Sequence, residues 1–123
     1  MSENYSTNKE YIPYGKHQII QDDIDIVINT LKSPFITQGE IVPLFEKNIS
    51  EKVKSKYSIA VNSATSALHL SCLALGVSQG DKVWTSPISF VASSNCALYC
   101  GAEIDFVDID PRTGLIDTIK LKS

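Results

Sequence analysis

The chain has 123 residues, of which 43% are apolar and 20% are charged, and its formal net charge is −3. This composition is that of an ordinary globular protein and excludes a disordered chain or a fibrous repeat. The eleven lysines and arginines are scattered, so nucleic acid is not expected as a partner. Because residues 1–10 lack the pattern of a signal peptide and no apolar run approaches membrane-spanning length, we expect a cytoplasmic location without a membrane partner.

The first half of the chain predicts two helices. An apolar stripe at helical spacing predicts a helix that starts near Asp22 and ends before Pro34. A short loop, Phe35–Gly39, follows. Pro43 is expected to open the second helix, because proline is favoured at the first helical position.

From residue 57 onward the pattern alternates between strands and helices. Residues 57–61, 82–86 and 103–107 are β-prone and are predicted as strands. The helix after the first strand is expected to end at Gly76, and the next helix to run from Phe90 to Tyr99. Connections of this length imply parallel strands with right-handed crossovers. The fold class is therefore predicted as α/β, a sandwich with a mainly parallel sheet.

The chain is interpreted as a flexible tail, residues 1–11, followed by one portion of a domain, residues 12–123. A turn-rich segment at residues 108–114 precedes a possible last helix that begins at Asp117. Three parallel strands alone would leave sheet edges and one face uncovered, whereas parallel sheets are normally buried on both faces. The sequence therefore predicts an incomplete domain.

Two segments are candidates for ligand binding. The run Ser63–Ser66 stands where a helix begins, and free backbone N–H groups, hydroxyls and the helix dipole can bind phosphate there. The same residue types are preferred helix caps, so a purely structural turn remains an alternative. Ser86–Phe90 follows the second strand, at the sheet edge where ligands collect in open α/β folds. Phe90 could lie flat on a heteroaromatic ring or be an ordinary core aromatic.

Other reactive side chains give weaker indications. His17 and His69 have no evident partner, so surface or capping roles are favoured over catalysis. Cys96 and Cys100 lie one helical turn apart, but reduced core thiols are favoured because no further ligands are nearby. The acidic cluster Asp105, Asp108 and Asp110 could bind a cation, but turn chemistry at residues 110–114 is the favoured interpretation. No metal site is predicted.

Four segments, taken together and in this order, resemble motifs of the DegT/StrS sugar aminotransferases. They are Phe35–Gly39, Val61–His69, Trp84–Ala92 and Val107–Pro111. The similarity covers nearly the whole chain from Ile12 onward. It is greatest to the branch that aminates C4 of a UDP-linked 4-keto-6-deoxy amino sugar for pseudaminic acid. The chain is thus identified as the N-terminal part of a member of this family.

The resemblance implies a fold, a cofactor and its contacts. The fold is the N-terminal part of the large domain of fold-type I transferases, an incomplete three-layer sandwich. The cofactor is pyridoxal 5′-phosphate (PLP), with its phosphate held by the turn at Ala64, Thr65 and Ser66 and its ring stacked on Phe90.

The resemblance also implies partners. The loop at Thr37, Gln38 and Gly39 is expected near the substrate. A UDP-linked keto sugar would be the amino acceptor and glutamate the amino donor, for pseudaminic acid or a related surface glycan. The full-length protein would be a homodimer with active sites at the subunit interface.

No catalytic residue is assigned within the chain. Members of the family carry, beyond the position of Ser123, an Asp that pairs with the pyridinium nitrogen and a Lys that forms the Schiff base. Lys82 and Lys120 lie in no matching motif, so the 123 residues alone are expected to be inactive. Two alternatives remain open: a truncated or split-gene product that only associates with a partner, and a PLP-dependent sugar dehydratase in which His replaces the Lys.

Overall fold

The computed structural model describes Pro13 and residues 15–122, so the predicted tail at residues 1–11 lies outside the described part. The chain divides into two compact units at residue 58. The helices and strands of the described residues are α1 (Gln21–Leu31), α2 (Ile41–Val53), α3 (Ala64–Ala74), β1 (Lys82–Thr85), α4 (Ala92–Tyr99), β2 (Glu103–Phe106) and a 3-10 helix (Lys120–Lys122). None of these helices is long and apolar enough to cross a membrane.

The first unit contains α1, α2 and the loop between them. The start of α1 is stabilised by Asp23, whose carboxylate accepts a hydrogen bond from the Ile20 N–H at 3.0 Å and lies at the positive end of the helix dipole. The prediction that Pro43 opens the second helix is wrong by two residues, since α2 begins at Ile41. Proline is still tolerated there, because the N–H groups of the first helical turn have no acceptor within the helix.

The second unit is built on a two-stranded parallel sheet. Lys82 pairs with Glu103 and Thr85 with Phe106, and α4 connects the two strands. Helix α4 packs against both strands and against α3. The predicted α/β class with parallel pairing is confirmed for this part of the chain.

Two predicted elements are wrong. Residues 57–61 do not form a strand, and no strand of the described range pairs with them. A β-prone segment needs a neighbouring strand to bond its backbone groups, which composition alone does not supply. The last predicted helix, at Asp117, is instead a turn followed by the short 3-10 helix, and the Asp117 carboxylate accepts the N–H of Ile119 at 2.9 Å.

The core of the second unit is small. Its buried apolar side chains, among the residues described, are Ala92, Cys96, Ala97, Ala102 and Val107. Large side chains such as Trp84 (50% exposed) and Phe106 (55% exposed) remain in contact with solvent. The sheet is therefore far from the double-sided burial that parallel strands normally have.

Candidate functional site

The start of α3 is organised by a network of polar side chains. Ser63 is the N-cap residue, in an extended conformation, and its Oγ accepts a hydrogen bond from the Ser66 N–H at 3.2 Å. The Ser66 hydroxyl donates to Asn62 Oδ1 at 2.8 Å, and the two serine Oγ atoms are 3.0 Å apart. The first turn of α3 is thus held in one conformation by contacts within residues 62–66.

The same turn has unused donors. The backbone N–H groups of Ala64 and Thr65 have no acceptor among the described residues, as is usual in the first turn of a helix. The end of a helix at which these groups lie carries a partial positive charge. Together with the Ser66 hydroxyl, these groups have the chemistry to bind a phosphate, and phosphate binding at this turn stays a prediction.

Phe90 lies in the loop between β1 and α4 and is 71% exposed, so it is not a buried core residue of the described chain. The loop is ordered by hydroxyl groups: Ser86 Oγ accepts the Ile88 N–H at 3.2 Å, and Ser89 Oγ lies 3.0 Å from Ser93 Oγ. A ring presented in this way is available to stack on a flat ligand.

A cavity of about 180 Å³ lies beside Phe90. The residues that line it include the aromatic Phe90 and Phe106 and the hydroxyl-bearing Thr85 and Ser86. Aromatic walls with a few polar groups are typical of sites for heteroaromatic ligands, although this cavity is smaller than most complete sites.

The two candidate segments lie at the starts of two neighbouring helices. Helices α3 and α4 are in contact, and the rings of His69 and Tyr99 meet edge to face with centroids 5.3 Å apart. The phosphate-binding candidates lie in the first turn of α3, and Phe90 lies just before α4. The cavity beside Phe90 does not extend to residues 64–66.

The loop between α1 and α2 carries the predicted substrate residues Thr37 and Gln38, both exposed. Gln38 has a left-handed φ of 56°, and a Cβ on Gly39 would lie 2.6 Å from the carbonyl oxygen of Phe35. Glycine is therefore required at position 39 by the close approach of the backbone. This loop belongs to the first unit, and its role near a substrate stays a prediction.

The carboxylates after β2 serve the local turn. The Lys120 ammonium, which donates to Asp108 at 3.1 Å, lowers the pKa of that carboxyl, and an N–H bond from Ile109 acts in the same direction. Arg112 donates to both oxygens of Asp110 at 3.2 and 3.0 Å and lowers its pKa. Within the described part, no group of three or more His, Cys, Asp or Glu side chains is arranged to hold a metal ion.

The three cysteines are free thiols at or near the packing of α3 and α4. Burial raises the pKa of the Cys72 thiol, and the neighbouring Cys96 and Cys100 raise it further. A raised pKa keeps a thiol protonated and unreactive at neutral pH. This environment agrees with the interpretation of these residues as reduced packing groups.

The sequence did not single out two residues of this region. Asn62 contacts Ser66 from four positions earlier, and Phe106 is the second aromatic residue that lines the cavity. The i, i+4 spacing of Asn62 and Ser66 at a helix start was a usable signal. The position of Phe106 depends on the pairing of β1 with β2, which no local pattern reveals.

A family model of the DegT/DnrJ/EryC1/StrS aminotransferases matches residues 17–123. The chain belongs to this family. The predicted resemblance is confirmed over nearly the whole described range.

Several named proteins of the family are similar in sequence to this chain. The chain is 39% identical over 113 residues to the spore coat polysaccharide biosynthesis protein SpsC of Bacillus subtilis, covering 92% of this chain and 29% of SpsC. It is 42% identical over 112 residues to a UDP-4-amino-4,6-dideoxy-N-acetyl-beta-L-altrosamine transaminase of Campylobacter jejuni. This match covers 91% of this chain and 29% of the transaminase. The chain thus spans under a third of the length of these relatives.

Solved structures of the family share the fold. Spr1654 of Streptococcus pneumoniae, assigned as a sugar aminotransferase and solved in apo, PLP and PMP forms, superposes with a TM-score of 0.84 at 32% identity, covering 90% of this chain and 28% of that one. PseC of Helicobacter pylori, an aminotransferase of pseudoaminic acid biosynthesis, gives 0.83 at 32% identity, with 92% and 31% coverage. These structures confirm the predicted fold-type I architecture and PLP as the cofactor of the family.

Proposed function

We propose that this chain is the part of a PLP-dependent sugar aminotransferase that binds the phosphate group of the cofactor. The observation that carries the proposal is the first turn of α3, where unused N–H donors and serine hydroxyls coincide in a member of this family. When bound, the cofactor would supply an electron sink for the substrate's negative charge and would carry the amino group from a donor to a keto sugar.

The proposed roles follow from the geometry of the second unit. The N–H groups of Ala64 and Thr65 and the hydroxyls of Thr65 and Ser66 donate to the phosphate oxygens, and the dipole of α3 favours the negative charge. Phe90 lies against the pyridine ring and helps to exclude water from it. These residues bind and orient the cofactor, and none of them is assigned a proton transfer.

The proposed acceptor is C4 of a UDP-linked 4-keto-6-deoxy amino sugar, with glutamate as amino donor. The similarity to the C. jejuni transaminase and to H. pylori PseC supports this substrate class. SpsC also carries a polysaccharide biosynthesis name, so a surface glycan is the proposed end product. In the whole protein we propose a cytoplasmic homodimer in which Thr37 and Gln38 lie near the substrate.

The phosphate site is tested by titrating the protein with PLP and following the absorbance of the bound cofactor. We expect Ser66→Ala and Thr65→Ala to weaken binding about 10-fold or more each, because a hydrogen bond to a charged group contributes roughly 1.5–3 kcal/mol. Ser71→Ala is the matched control, since the Ser71 hydroxyl, also in α3, donates to the Ala67 carbonyl at 2.8 Å. Equal affinity of all three variants and the parent chain would contradict the proposal.

The same samples test whether the 123 residues have chemistry of their own. We propose that they do not turn over substrate, so borohydride should not fix PLP to one particular lysine and no amino transfer from glutamate should be measured. A single specific borohydride-trapped lysine would show that an internal amine has taken the covalent role.

A further inference from the structure

The hydroxyl of Ser66 is bonded differently from those of Ser71 and Thr30, which also lie in helices. Ser71 and Thr30 donate to backbone carbonyls four residues earlier, at 2.8 and 2.7 Å, which is the usual arrangement for such side chains in helices. Ser66 instead donates at 2.8 Å to a side chain four residues earlier, the Oδ1 of Asn62. Its hydroxyl therefore turns back over the open end of α3.

A count of protons shows what this contact does. Ser66 has one hydroxyl proton, and Asn62 Oδ1 accepts it when no ligand is present. Ser63 Oγ, 3.0 Å from Ser66 Oγ, already accepts the Ser66 N–H. If a phosphate oxygen accepts the hydrogen bond of the Ser66 hydroxyl, it replaces Asn62 Oδ1 as the acceptor.

The side-chain amide can follow this exchange, because it carries an acceptor at one end and two donors at the other. If the amide turns over, Asn62 Nδ2 donates to Ser66 Oγ while the Ser66 hydroxyl donates to the phosphate. The serine then keeps the same partner and the same side-chain orientation in both states. An aspartate at this position could only accept, and would keep the proton from the phosphate.

From this contact, and resting on the phosphate site proposed above, we propose that Asn62 is a positioning residue that holds the Ser66 hydroxyl in place for the cofactor phosphate. The assignment does not require Asn62 to touch the cofactor. The similarity to Spr1654, which is solved in a PLP form, independently supports a phosphate-bearing ligand for a chain of this fold.

The test compares Asn62→Ala and Asn62→Asp in the same chain, with PLP, pyridoxal and inorganic phosphate as probes in NMR titrations that reach millimolar concentration. Asn62→Ala should weaken PLP binding about fivefold, the equivalent of one ordinary hydrogen bond. Asn62→Asp should weaken it further. Pyridoxal, which lacks the phosphate, should bind all variants equally within about twofold, since one hydrogen bond corresponds to more than that.

Thermal stability separates positioning from folding. A carboxylate near the start of α3 interacts favourably with the helix dipole, so Asn62→Asp should melt without ligand at the same or a higher temperature. A variant that folds as well as the parent but binds PLP less tightly has lost positioning and not structure. Parallel losses of melting temperature and of affinity for both PLP and pyridoxal would overturn the inference.

A double-mutant cycle provides the second test. In a Ser66→Ala background, Asn62→Ala should change PLP affinity by less than about twofold, because its effect passes through the serine hydroxyl. Equal losses with and without Ser66 would overturn the positioning role while leaving the phosphate site intact. No PLP or phosphate binding by the parent chain, or none lost in Ser66→Ala, would overturn the proposed function and this inference with it.

Discussion

Asp110 organises the turn after β2 through a single carboxylate. It accepts bonds from the Arg112 side chain and also from the Arg112 N–H at 2.9 Å. In the sequence, the run of acidic residues here resembles a cation site. In the structure, the carboxylates of Asp108 and Asp110 instead make turn and ion-pair contacts. The sequence-based preference for turn chemistry is therefore confirmed at this residue.

The Asp110 contacts predict a pH dependence. Because the folded-state pKa is lower than the ordinary Asp value of about 3.9, the unfolded chain binds more protons between the two values and stability rises with pH in that window. The contribution is fully present above about pH 4 and is lost as pH falls through the lower folded pKa. NMR titration of the Asp110 carboxyl in the parent and in Arg112→Ala checks this, and an unchanged pKa in the variant would contradict it.

At the scale of elements, α4 shows how packing depends on small side chains. Ala97 is fully buried, at 0% exposure, on a helix that contacts α3, β1 and β2. Alanine at this position allows the helix to approach its neighbours closely. The apolar pattern predicted the helix, but it did not predict that the space beside Ala97 is too small for a larger side chain.

We expect Ala97→Leu to lower the free energy of unfolding by roughly 1–3 kcal/mol, because added methylene groups cannot enter a packed interface without displacing neighbours. Urea denaturation followed by circular dichroism measures the change. Leu98→Ala is the matched control on the exposed face, where Leu98 is 55% exposed, and a smaller loss is expected there. A larger loss of unfolding free energy for Leu98→Ala than for Ala97→Leu would show that Ala97 does not lie on the buried face of α4.

At the scale of the whole molecule, the described chain buries few of its large apolar side chains. Exposed groups occur in both units, including Phe35 at 72% and Phe90 at 71%. Surfaces of this kind mark places where further protein or a ligand binds, or where chains associate.

We therefore expect the 123 residues alone to bind the dye ANS and to associate as their concentration rises. Sedimentation velocity at two or more concentrations measures the association. ANS fluorescence measured before and after the addition of PLP shows whether the cofactor covers part of the apolar surface. A monomer at all concentrations without dye binding would contradict this prediction.

The sequence by itself predicted helices α1 to α4, the parallel pairing of β1 with β2 and the family, because these depend on local periodicity and on ordered motifs such as Val61–His69. It also indicated the turn at residues 63–66 as a candidate phosphate site, since caps and free N–H donors are local properties of a helix start.

Only the tertiary structure decided that residues 57–61 form no strand, that Phe106 lines the same cavity as Phe90, and that the Ser66 hydroxyl donates to Asn62. Strand formation requires a hydrogen-bonding neighbour, and a cavity wall requires two segments to meet. A side-chain contact depends on the rotamer that the turn allows. These are relations between parts of the chain, and composition and spacing do not contain them.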